Sequence, residues 1–551
     1  MLDMLKGVKV VSFNHFLMGP MGIQVLGDLG ADVVSIETPE GAYQRHWSAG
    51  NIWCDGQSVL HLCANRNKRN IALDLKSEKG KEIALRLIDG ADVVAENFRP
   101  GVMEKLGFGY EALKARKPSL IYASASGYGP DGPYKERPGQ DLLAQALFGL
   151  MAITGQQASG PRPVGVSAVD HHGAAVFAMG VLAALVRRGR TGQGCRVDVS
   201  LMQAALDLQA ESLVGWLNSE KKPDERSPRH IAAWYYSAPY GVYATRDGHL
   251  AISITPLKLL SEALEDPRLL RFGLEETWDP ARKEAICDLI AETIRTRETD
   301  HWISRMQPLK IWHARVQGYA DIVADPQVQH MKCIVTAPGA GKDGNPVTLV
   351  NHPVRYDGQA AEVRLPPQPL GGQTEDVLAE LGFGAAEIEA LERDGVVRRA
   401  QEGEAMADFY VKPGDSVSFA KTVGETDIYM FAGITGDFAV NHVNEQYMER
   451  SKYGKRIAHG ALLVGYMSTC STMMIHQCRG TEGDETAVSL GYDRVRFLAA
   501  VVIGDTVTLT YTINEVDPVK RQSKASIEVR NQRGELVAVA THILRWVKDR
   551  T

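Results

Sequence analysis

The sequence predicts a doubly wound α/β fold over most of its length, followed by a separate α+β unit. First, residues 8–37 show a strand–helix–strand order, with two apolar runs on either side of a helical stretch that ends at Gly30. Second, two further buried-strand runs, 91–96 and 119–124, each follow a helical segment, as in right-handed parallel crossovers. Third, one long apolar helix at 461–475 precedes several alternating strands, which predicts a central helix packed on an antiparallel sheet.

Composition and charge narrow the class of protein. A chain of 551 residues is too long for one hydrophobic core. The net charge of −6 and the scattered basic residues provide no field for nucleic acid or anionic lipid. The longest apolar run, 173–186, is shorter than the roughly 20 residues that span a bilayer, and no secretory signal is visible. The seven cysteines form no CxxC pair, which favours a reducing compartment. Together with the charge and the short apolar runs, this pattern predicts a cytoplasmic protein without membrane or nucleic-acid partners.

Changes of pattern along the chain predict its domain organisation. Shorter strands replace the buried runs in the middle of the chain, and a polar, aperiodic stretch precedes the α+β unit. The expected segments are a large α/β domain (1–228), a small α/β domain (229–327), a return to the large domain (328–398), a linker (399–407) and the α+β unit (408–551).

The first domain lacks the two common phosphate-binding sequence patterns. The turn after the first strand, residues 14–20, lacks the GxGxxG pattern, and the chain has no Walker A sequence. Its backbone therefore cannot hold a pyrophosphate as dinucleotide-binding turns do, which excludes NAD and ATP. The densest basic cluster, residues 65–70, is typical of a solvated loop, with contact to one phosphorylated small molecule as the alternative.

A long collinear series of motifs resembles the family III CoA-transferases. The resemblance covers roughly residues 4–398 and implies a Rossmann-like large domain and an interlocked homodimer. It also implies acyl-CoA thioesters and carboxylic acids as substrates, with no permanently bound cofactor and no metal. The matching stretches are LGDLGADVV (26–34), NRNKRNIALDLKS (65–77), ADVVAENFRPGVMEKLGFGYEAL (91–113), GYGPDGPYKERPGQDLLAQALFGLMAITG (127–155), RTGQGCRVDVSLMQAAL (190–206) and PPQPLGGQTEDVLAELG (366–382).

The resemblance places the family's nucleophile, an aspartate shortly before an apolar helix, at Asp170. A carboxylate that attacks a thioester forms a mixed anhydride of similar group-transfer potential, so the acyl energy is kept without ATP. Water must be excluded while the anhydride exists. From the local sequence alone, Asp170 reads as the N-cap of a helix that begins near Gly173, and the two roles do not exclude each other.

The same alignment implies a CoA site around the nucleophile. Gln140 stands where racemases of this fold carry a relay histidine, which favours a transferase. The family's Gln-Ala pair before Gly-Pro is Leu-Met here, and the glycine-rich loop of some formyl-CoA transferases is not visible near 240–260, so substrate choice does not transfer. The implied substrate- and CoA-binding residues are Phe16, Leu17, Met18, Leu73, Lys76, Asn97, Phe98, Lys105 and Asp141.

The C-terminal unit carries a second resemblance, over about residues 408–548. The segment FAGITGDFAVNHVNEQYMERSKYGKRIAHGALL (431–463) is similar to the MaoC-like (R)-specific enoyl-CoA hydratases, which implies a hot-dog fold. Asp437, His442 and Gly460 match the family's catalytic positions.

The matched triplet suits the hydration of an α,β-unsaturated thioester. Asp437 and His442 would hold one water as an acid/base pair, and the Gly460 N–H would donate to the oxyanion. Taken singly, Asp437 is a typical turn residue and His442 a typical structural histidine. Ala439-Val440 replace the family's Asn-Pro, which usually supports the catalytic pair.

Together the two resemblances predict a bifunctional acyl-CoA enzyme. It would transfer CoA between carboxylic acids and then hydrate or dehydrate the α,β bond, with an unsaturated dicarboxylate such as itaconate or mesaconate as a candidate acid. Two alternatives remain open at this point. The hot-dog domain could be catalytically dead and serve for dimerisation or CoA binding, or the first unit could be an intramolecular CoA-transferase that isomerises one diacid thioester.

Overall fold

The computed structural model divides the chain into two units, residues 1–402 and 403–551. The expected linker, 399–407, lies for the most part outside the described residues. The described residues are 2–220, 226–273, 279–340, 344–400, 410–477, 485–517 and 521–548.

The first unit begins with the predicted alternation of strands and helices, because apolar runs alternate with amphipathic stretches that end at glycines. Its elements up to residue 218 are β1 (Lys9–Phe13), α1 (Met18–Asp28), β2 (Asp32–Glu37), α2 (Tyr43–His46), β3 (Trp53–Cys54), β4 (Gln57–Ser58), α3 (Val59–Ala64), β5 (Arg69–Leu73), α4 (Glu78–Gly90), β6 (Val93–Glu96), α5 (Val102–Leu106), α6 (Tyr110–Arg116), β7 (Ile121–Ser126), α7 (Asp141–Leu147), α8 (Leu150–Ile153), α9 (Ala168–Thr191), β8 (Arg196–Ser200), α10 (Leu201–Leu208) and α11 (Ala210–Asn218).

The remainder of the first unit contains shorter elements. A separate hydrophobic cluster, drawn from residues 231–311, forms the core of this part. The later residues Val377, Ile388 and Val397 return to the core of the large sheet. The elements are β9 (Gly241–Ala244), β10 (His249–Ile252), α12 (Leu257–Leu264), α13 (Pro280–Ile294), α14 (Thr299–Met306), β11 (His313–Arg315), α15 (Tyr319–Ala324), α16 (Pro326–His330), β12 (Ile334–Ala337), β13 (Val347–Val350), α17 (Thr374–Glu380), α18 (Ala385–Arg393) and β14 (Val397–Arg398).

The large sheet has the strand order β14-β5-β2-β1-β6-β7-β8. Its neighbours pair in parallel, except β14, which pairs antiparallel to β5. The order of β5-β2-β1-β6-β7-β8 reverses between β1 and β6, and this confirms the doubly wound prediction and places the switch point there. Sequence reasoning did not identify β8, because Arg196 and Asp198 interrupt its apolar run on a half-exposed sheet edge.

Helix α9 packs on the sheet over β7 and β8 and against α1. It contacts α1, α7, α10, β7 and β8, and its buried side chains belong to the core on that face of the sheet. Within the described residues it is the one helix long and apolar enough to cross a membrane, by length and composition only. It begins at Ala168 rather than near Gly173, so the N-cap interpretation of Asp170 was wrong. Asp170 lies in the first helical turn, where Ser167 is the capping position.

The basic cluster at 65–70 was wrongly expected to be a solvated loop or a phosphate contact. Apart from Arg69, its side chains are buried. Arg66 makes two hydrogen bonds to Asp28, at 2.9 and 2.7 Å. Burial alone would raise the pKa of Asp28, but hydrogen bonds from His352, Arg66 and Asn67 and the charge of Arg66 lower it below its usual value. Lys68 donates to two backbone carbonyl oxygens, and burial lowers its pKa to about 7. The cluster thus anchors the domain internally.

Arg66→Met is expected to lower the free energy of unfolding of the first unit by about 3–5 kcal/mol, because it leaves the buried Asp28 carboxylate without its cation. Urea denaturation followed by circular dichroism measures the loss. The matched control is Arg116→Met, because Arg116 pairs with Asp89 at the surface and should contribute about 1 kcal/mol or less. Equal losses in the two variants would show that the Arg66–Asp28 pair does not anchor the fold.

The second unit wraps an antiparallel sheet around one long helix, as predicted. The strand order is β15-β17-β18-β19-β16, and α22 packs against β15 and β17. The helix, predicted at 461–475, extends by one residue at its start and two at its end. The elements are β15 (Ser416–Thr422), α19 (Glu425–Thr435), α20 (Val440–Val443), α21 (Glu445–Met448), α22 (Gly460–Gln477), β16 (Glu485–Phe497), β17 (Thr506–Asp517), β18 (Gln522–Asn531) and β19 (Leu536–Lys548).

Candidate functional site

The loops that follow β1 and β6 meet at the switch point of the large sheet. The His15 N–H donates to Asn97 Oδ1 at 2.8 Å, and Asn97 Nδ2 donates back to the His15 carbonyl at 2.7 Å. The Phe98 N–H donates to Glu96 Oε2 at 2.9 Å. Ligands of open α/β sheets bind at this position. The structure therefore places two predicted binding residues, Asn97 and Phe98, at the edge where a ligand is expected.

A run of aromatic rings leads away from this point. Phe16 has a left-handed backbone with φ of 61°, and its N–H donates to Gln44 Oε1 at 3.1 Å. The rings of His15 and Phe16 are 5.1 Å apart, those of Phe16 and Tyr43 5.3 Å, and those of Tyr43 and Trp47 6.1 Å. Exposed ring faces stack on planar ligand groups. Sequence reasoning missed Tyr43 and Trp47, because exposed aromatics have no distinctive spacing.

Close packing of α1 on α9 brings the first loop to the helix that carries Asp170. A Cβ at Gly173, one turn after Asp170, would lie 2.5 Å from Met18 Sδ, so any larger residue would force Met18 to move. A Cβ at Gly19 would lie 2.2 Å from Asn14 Oδ1. Met18 therefore packs against α9 within one turn of the nucleophile candidate.

Asp141 caps the helix that carries Asp170. Its Oδ1 accepts the N–H of Val169 at 2.8 Å and that of Asp170 at 3.1 Å. Ser167, the capping residue of α9 by position, makes no side-chain cap bond, so a carboxylate from α7 satisfies these helix N–H groups instead. Burial first, and the charge of Asp141 second, raise the pKa of Asp170 to about 7. The arrangement holds a basic carboxylate at the start of a helix.

The remaining predicted binding residues occupy different environments. Lys76 and Lys105 are exposed; Lys76 lies in the segment that follows β5, and Lys105 lies in the last turn of α5. The Leu17 side chain is buried. Leu73 is fully buried in the core of the sheet, so its side chain offers no surface to a ligand, contrary to the expectation from the resemblance.

In the second unit, the hydrogen bonds of His442 define its tautomer. Its Nδ1 lies 2.7 Å from the Ile457 carbonyl oxygen, which only accepts, so the proton of the neutral ring is on Nδ1. Nε2 then carries the lone pair, and Asn441 Nδ2 donates to it at 3.1 Å. Sequence reasoning missed Asn441. Its side-chain amide lies beside His442, whereas the family's asparagine is replaced by Ala439.

Asp437 follows the left-handed Gly436 that ends α19. Its Oδ1 accepts the Ala439 N–H at 3.3 Å, so the residue does form a turn, while the residue as a whole remains exposed. Ligand atoms of Asp437, His442 and His459 lie within 4.8 Å of one another. One water with two hydrogen bonds spans such a distance between the aspartate and His442.

The same three residues have the composition of a metal site. However, the rings of His442 and His459 stack at 3.8 Å with an interplanar angle of 27°. Imidazole lone pairs lie in the ring plane, so stacked rings do not direct them at one ion. His459 Nε2 also binds the Asp437 carbonyl oxygen at 2.9 Å. The geometry therefore favours an acid/base site.

Gly460 is the first residue of α22. The first N–H groups of a helix have no partner within it and lie at the positive end of the helix dipole. A Cβ at Gly460 would lie 2.6 Å from the Phe497 ring, which explains the absence of a side chain. This N–H can stabilise a developing oxyanion.

Comparisons with known proteins agree with the two-unit division. Residues 5–375 match the family described as CoA-transferase family III, and residues 408–535 match the MaoC like domain.

Individual relatives are similar to the first unit. An acyl-CoA transferase of Fusarium pseudograminearum is 31% identical over 409 residues, 71% of this chain and 88% of the relative. A succinyl-CoA:mesaconate CoA-transferase of Haloarcula hispanica is 32% identical over 362 residues, 64% of this chain and 89% of the relative. The crystal structure of a CAIB/BAIF family protein from Brucella suis has a TM-score of 0.61 at 30% identity, covering 69% of this chain and all of that one.

Proposed function

Because this chain belongs to CoA-transferase family III through residues 5–375 and carries a MaoC-like domain at 408–535, we propose that it performs two consecutive reactions on one acid. The first unit transfers CoA to the acid, with Asp170 as nucleophile. The second adds water to, or removes it from, the α,β bond of the resulting thioester. The observation that supports the transferase proposal is the start of α9, where the Asp141 carboxylate accepts the N–H groups of Val169 and Asp170.

During transfer, an Asp170 oxygen first bonds to the donor acyl group, and the Asp170 carbonyl carbon then bonds to the sulfur of CoA. The carboxylate attacks the donor thioester, forming a mixed anhydride and releasing CoA thiolate. The thiolate attacks the Asp170 carbonyl, which releases the donor acid and leaves an aspartyl thioester. The acceptor carboxylate attacks this thioester, which forms a second mixed anhydride and releases CoA thiolate. The thiolate then attacks the acceptor carbonyl of that anhydride and gives the new acyl-CoA. Asp170 is regenerated as a carboxylate, and no net proton is consumed.

The environment of Asp170 favours the first attack. A buried carboxylate next to the charge of Asp141 is destabilised relative to a neutral group, as its raised pKa shows. Conversion of the Asp170 carboxylate into an anhydride or thioester removes that charge. The pKa of about 7 also means that the nucleophile is ionised only as the pH rises through neutrality.

Asp141→Asn is expected to shift the acid limb of kcat/KM for CoA transfer to lower pH. Loss of the neighbouring negative charge lowers the pKa of Asp170, so the nucleophile is ionised at lower pH. Burial is the larger cause of the raised pKa, so the limb should stay above the pH at which an ordinary aspartate ionises. Steady-state rates between pH 5 and 9 measure the shift, and an unmoved limb would contradict the coupling.

Hydration uses the lone pair on His442 Nε2 and the exposed carboxylate of Asp437. Water held between them loses a proton to one member of the pair as its oxygen attacks Cβ, and Cα takes a proton from the pair. The thioester oxygen gains negative charge, which the Gly460 N–H stabilises at the start of α22. The close approach of the ligand atoms of Asp437 and His442 carries this part of the proposal.

One observation favours the alternative in which the second unit binds thioesters without hydrating them. Asn441 Nδ2 donates to His442 Nε2, the position that the reacting water requires. Asn441→Ala decides between the two roles by removing this competitor. Hydration that is unmeasurable in the parent protein and in Asn441→Ala, with enoyl-CoA binding retained, would support the binding role.

The substrate class follows from chemistry that both units share. The Haloarcula relative is named for mesaconate, an unsaturated dicarboxylate whose CoA thioester a hydratase can use. We therefore propose itaconate, mesaconate or a close homologue as the acid. A mass-spectrometric screen of dicarboxylic and hydroxy acids against succinyl-CoA and acetyl-CoA tests this. Exchange of labelled free acid into the product would exclude an intramolecular isomerase.

The first unit exposes apolar side chains on α7, α9, α10 and α11. A patch of this kind is normally covered by another protein surface. We propose that a second copy covers it in an interlocked homodimer, which light scattering would test. The exposed side chains are Leu142, Leu143, Leu147, Met179, Val186, Leu206, Leu208, Val214 and Leu217.

We also propose a cytoplasmic location. Cys63 and Cys333 are exposed free thiols, which a reducing compartment keeps unpaired. Fractionation of cells that express the chain would test this assignment.

A further inference from the structure

Gln145 is a buried amide beside Asp170 that the reaction steps above do not use. It is 1% exposed. Its Nε2 donates to Asp141 Oδ2 at 2.6 Å and to the Val166 carbonyl at 3.3 Å. Its Oε1 accepts the Val164 N–H at 2.9 Å. One side chain therefore joins the Asp141 carboxylate to the segment that leads into α9.

These bonds fix the orientation of both side chains. An exchange of the amide oxygen and nitrogen would set Nε2 against the Val164 N–H, so Gln145 has one orientation that satisfies its partners. Held at Oδ2 by this amide, Asp141 directs Oδ1 at the N–H groups of Val169 and Asp170. A simple pairing of residues four apart on α7 would explain the bond to Asp141 but not the bonds to Val164 and Val166.

We propose that Gln145 is a positioning residue for CoA transfer. It holds Asp141 in the conformation that caps α9, and through Asp141 it sets the position and the electrostatic environment of Asp170. This inference rests on the proposed role of Asp170 as nucleophile. It adds a residue whose role comes from its hydrogen bonds to Asp141, Val164 and Val166.

Other charged groups also lie on the elements packed against α9. Among the described residues, Asp141 is the group whose charge raises the pKa of Asp170. Asp28 of α1 pairs with Arg66, and Asp207 of α10 pairs with His172 of α9. Arg196 and Asp198 of β8 pair with each other, and Tyr122 lies on β7. None of these groups is a cause of the raised pKa of Asp170.

Two substitutions at Gln145 should move the acid limb of kcat/KM in opposite directions. Gln145→Leu removes the amide that holds Asp141 Oδ2, so the Asp141 carboxylate is no longer fixed against the start of α9. Its repulsion of Asp170 weakens, and the limb moves to lower pH by about one unit, with a plateau rate about tenfold lower. Gln145→Glu places a second carboxyl against Asp141, and the added negative charge moves the limb to higher pH.

The control is Gln209→Leu, because Gln209 is also buried and donates to backbone carbonyls of Phe148 and Ala205. It should lower stability without moving the limb. Gln145→Glu keeps the shape of the amide and decides the question if the leucine variant fails to fold. A wild-type limb in every folded Gln145 variant would overturn the inference.

Hydroxylamine trapping separates this outcome from failure of the proposed function. An aspartyl anhydride or thioester reacts with hydroxylamine to give a hydroxamate at Asp170, which peptide mass spectrometry detects. If the wild-type protein gives no hydroxamate during turnover, the nucleophile assignment fails, and the inference fails with it. If the wild-type protein gives the hydroxamate and the Gln145 variants form it with unchanged pH dependence, only the inference fails.

Discussion

Asp170→Ala is expected to reduce CoA transfer on the order of 10⁴-fold or more, because removal of a covalent nucleophile removes the pathway and not only a contact. The carboxylate is the one group in the proposed steps that carries both the acyl group and CoA. Initial rates of transfer from succinyl-CoA, read by mass spectrometry with the acid found in the substrate screen, measure the loss. The hydroxamate at Asp170 should disappear in the same variant.

Two further variants separate loss of the nucleophile from a change in local structure. Asp170→Asn keeps the shape of the side chain and should lose transfer to the same extent. Asp207→Asn, on the neighbouring helix α10, removes an exposed carboxylate and should leave transfer within about twofold of wild type. Hydration in the second unit should be unchanged in all three variants. Undiminished transfer by Asp170→Ala from every donor would mean that another residue is the nucleophile.

Asp437→Asn is expected to reduce hydration by about 10²- to 10⁴-fold, the usual contribution of a general acid or base. The amide oxygen can still accept the Ala439 N–H, so the turn that holds residue 437 is preserved. The amide has neither the charge nor the proton affinity of the carboxylate. The decrease in absorbance of the enoyl thioester on water addition measures the rate.

Controls for this site come from the same unit. His442→Ala should cause a loss of similar size, because the water needs both partners. Asp493→Asn, an exposed carboxylate on β16, should hydrate at the wild-type rate. CoA transfer should be unaffected by these substitutions. Hydration that survives both Asp437→Asn and His442→Ala would exclude this pair as the acid/base site.

Much of the fold could be predicted because the signals are local. The apolar runs of β1, β2 and β6 and the amphipathic α4, with Ser77 as its N-cap, each depend on neighbouring residues in the chain. The spacing from Asp437 through His442 to Gly460 is likewise visible in one segment. Predicted boundaries shifted by a few residues at most elements. The largest shifts include the end of β16 and the start of α9, whose first turn is capped by a residue outside the local sequence.

The surroundings of the candidate nucleophile depend on contacts between distant parts of the chain. Asp141 and Gln145 lie on α7, and only the packing of α7 against α9 brings them to the backbone around Asp170. The raised pKa of Asp170 follows from that burial and that neighbour. Periodicity carries no information about such partners.

By itself, the sequence determined the strand–helix alternation of the first sheet up to β7, the two-unit organisation and the chemical groups available for catalysis. Only the tertiary structure decided that the basic cluster at 65–70 is buried, because Asp28 lies far from it in the chain. The tertiary structure also decided that the Ile457 carbonyl sets the tautomer of His442 and that Asp141 caps α9. Local patterns report on a residue's own turn or strand, whereas charge, tautomer and position at a site depend on groups that folding brings together.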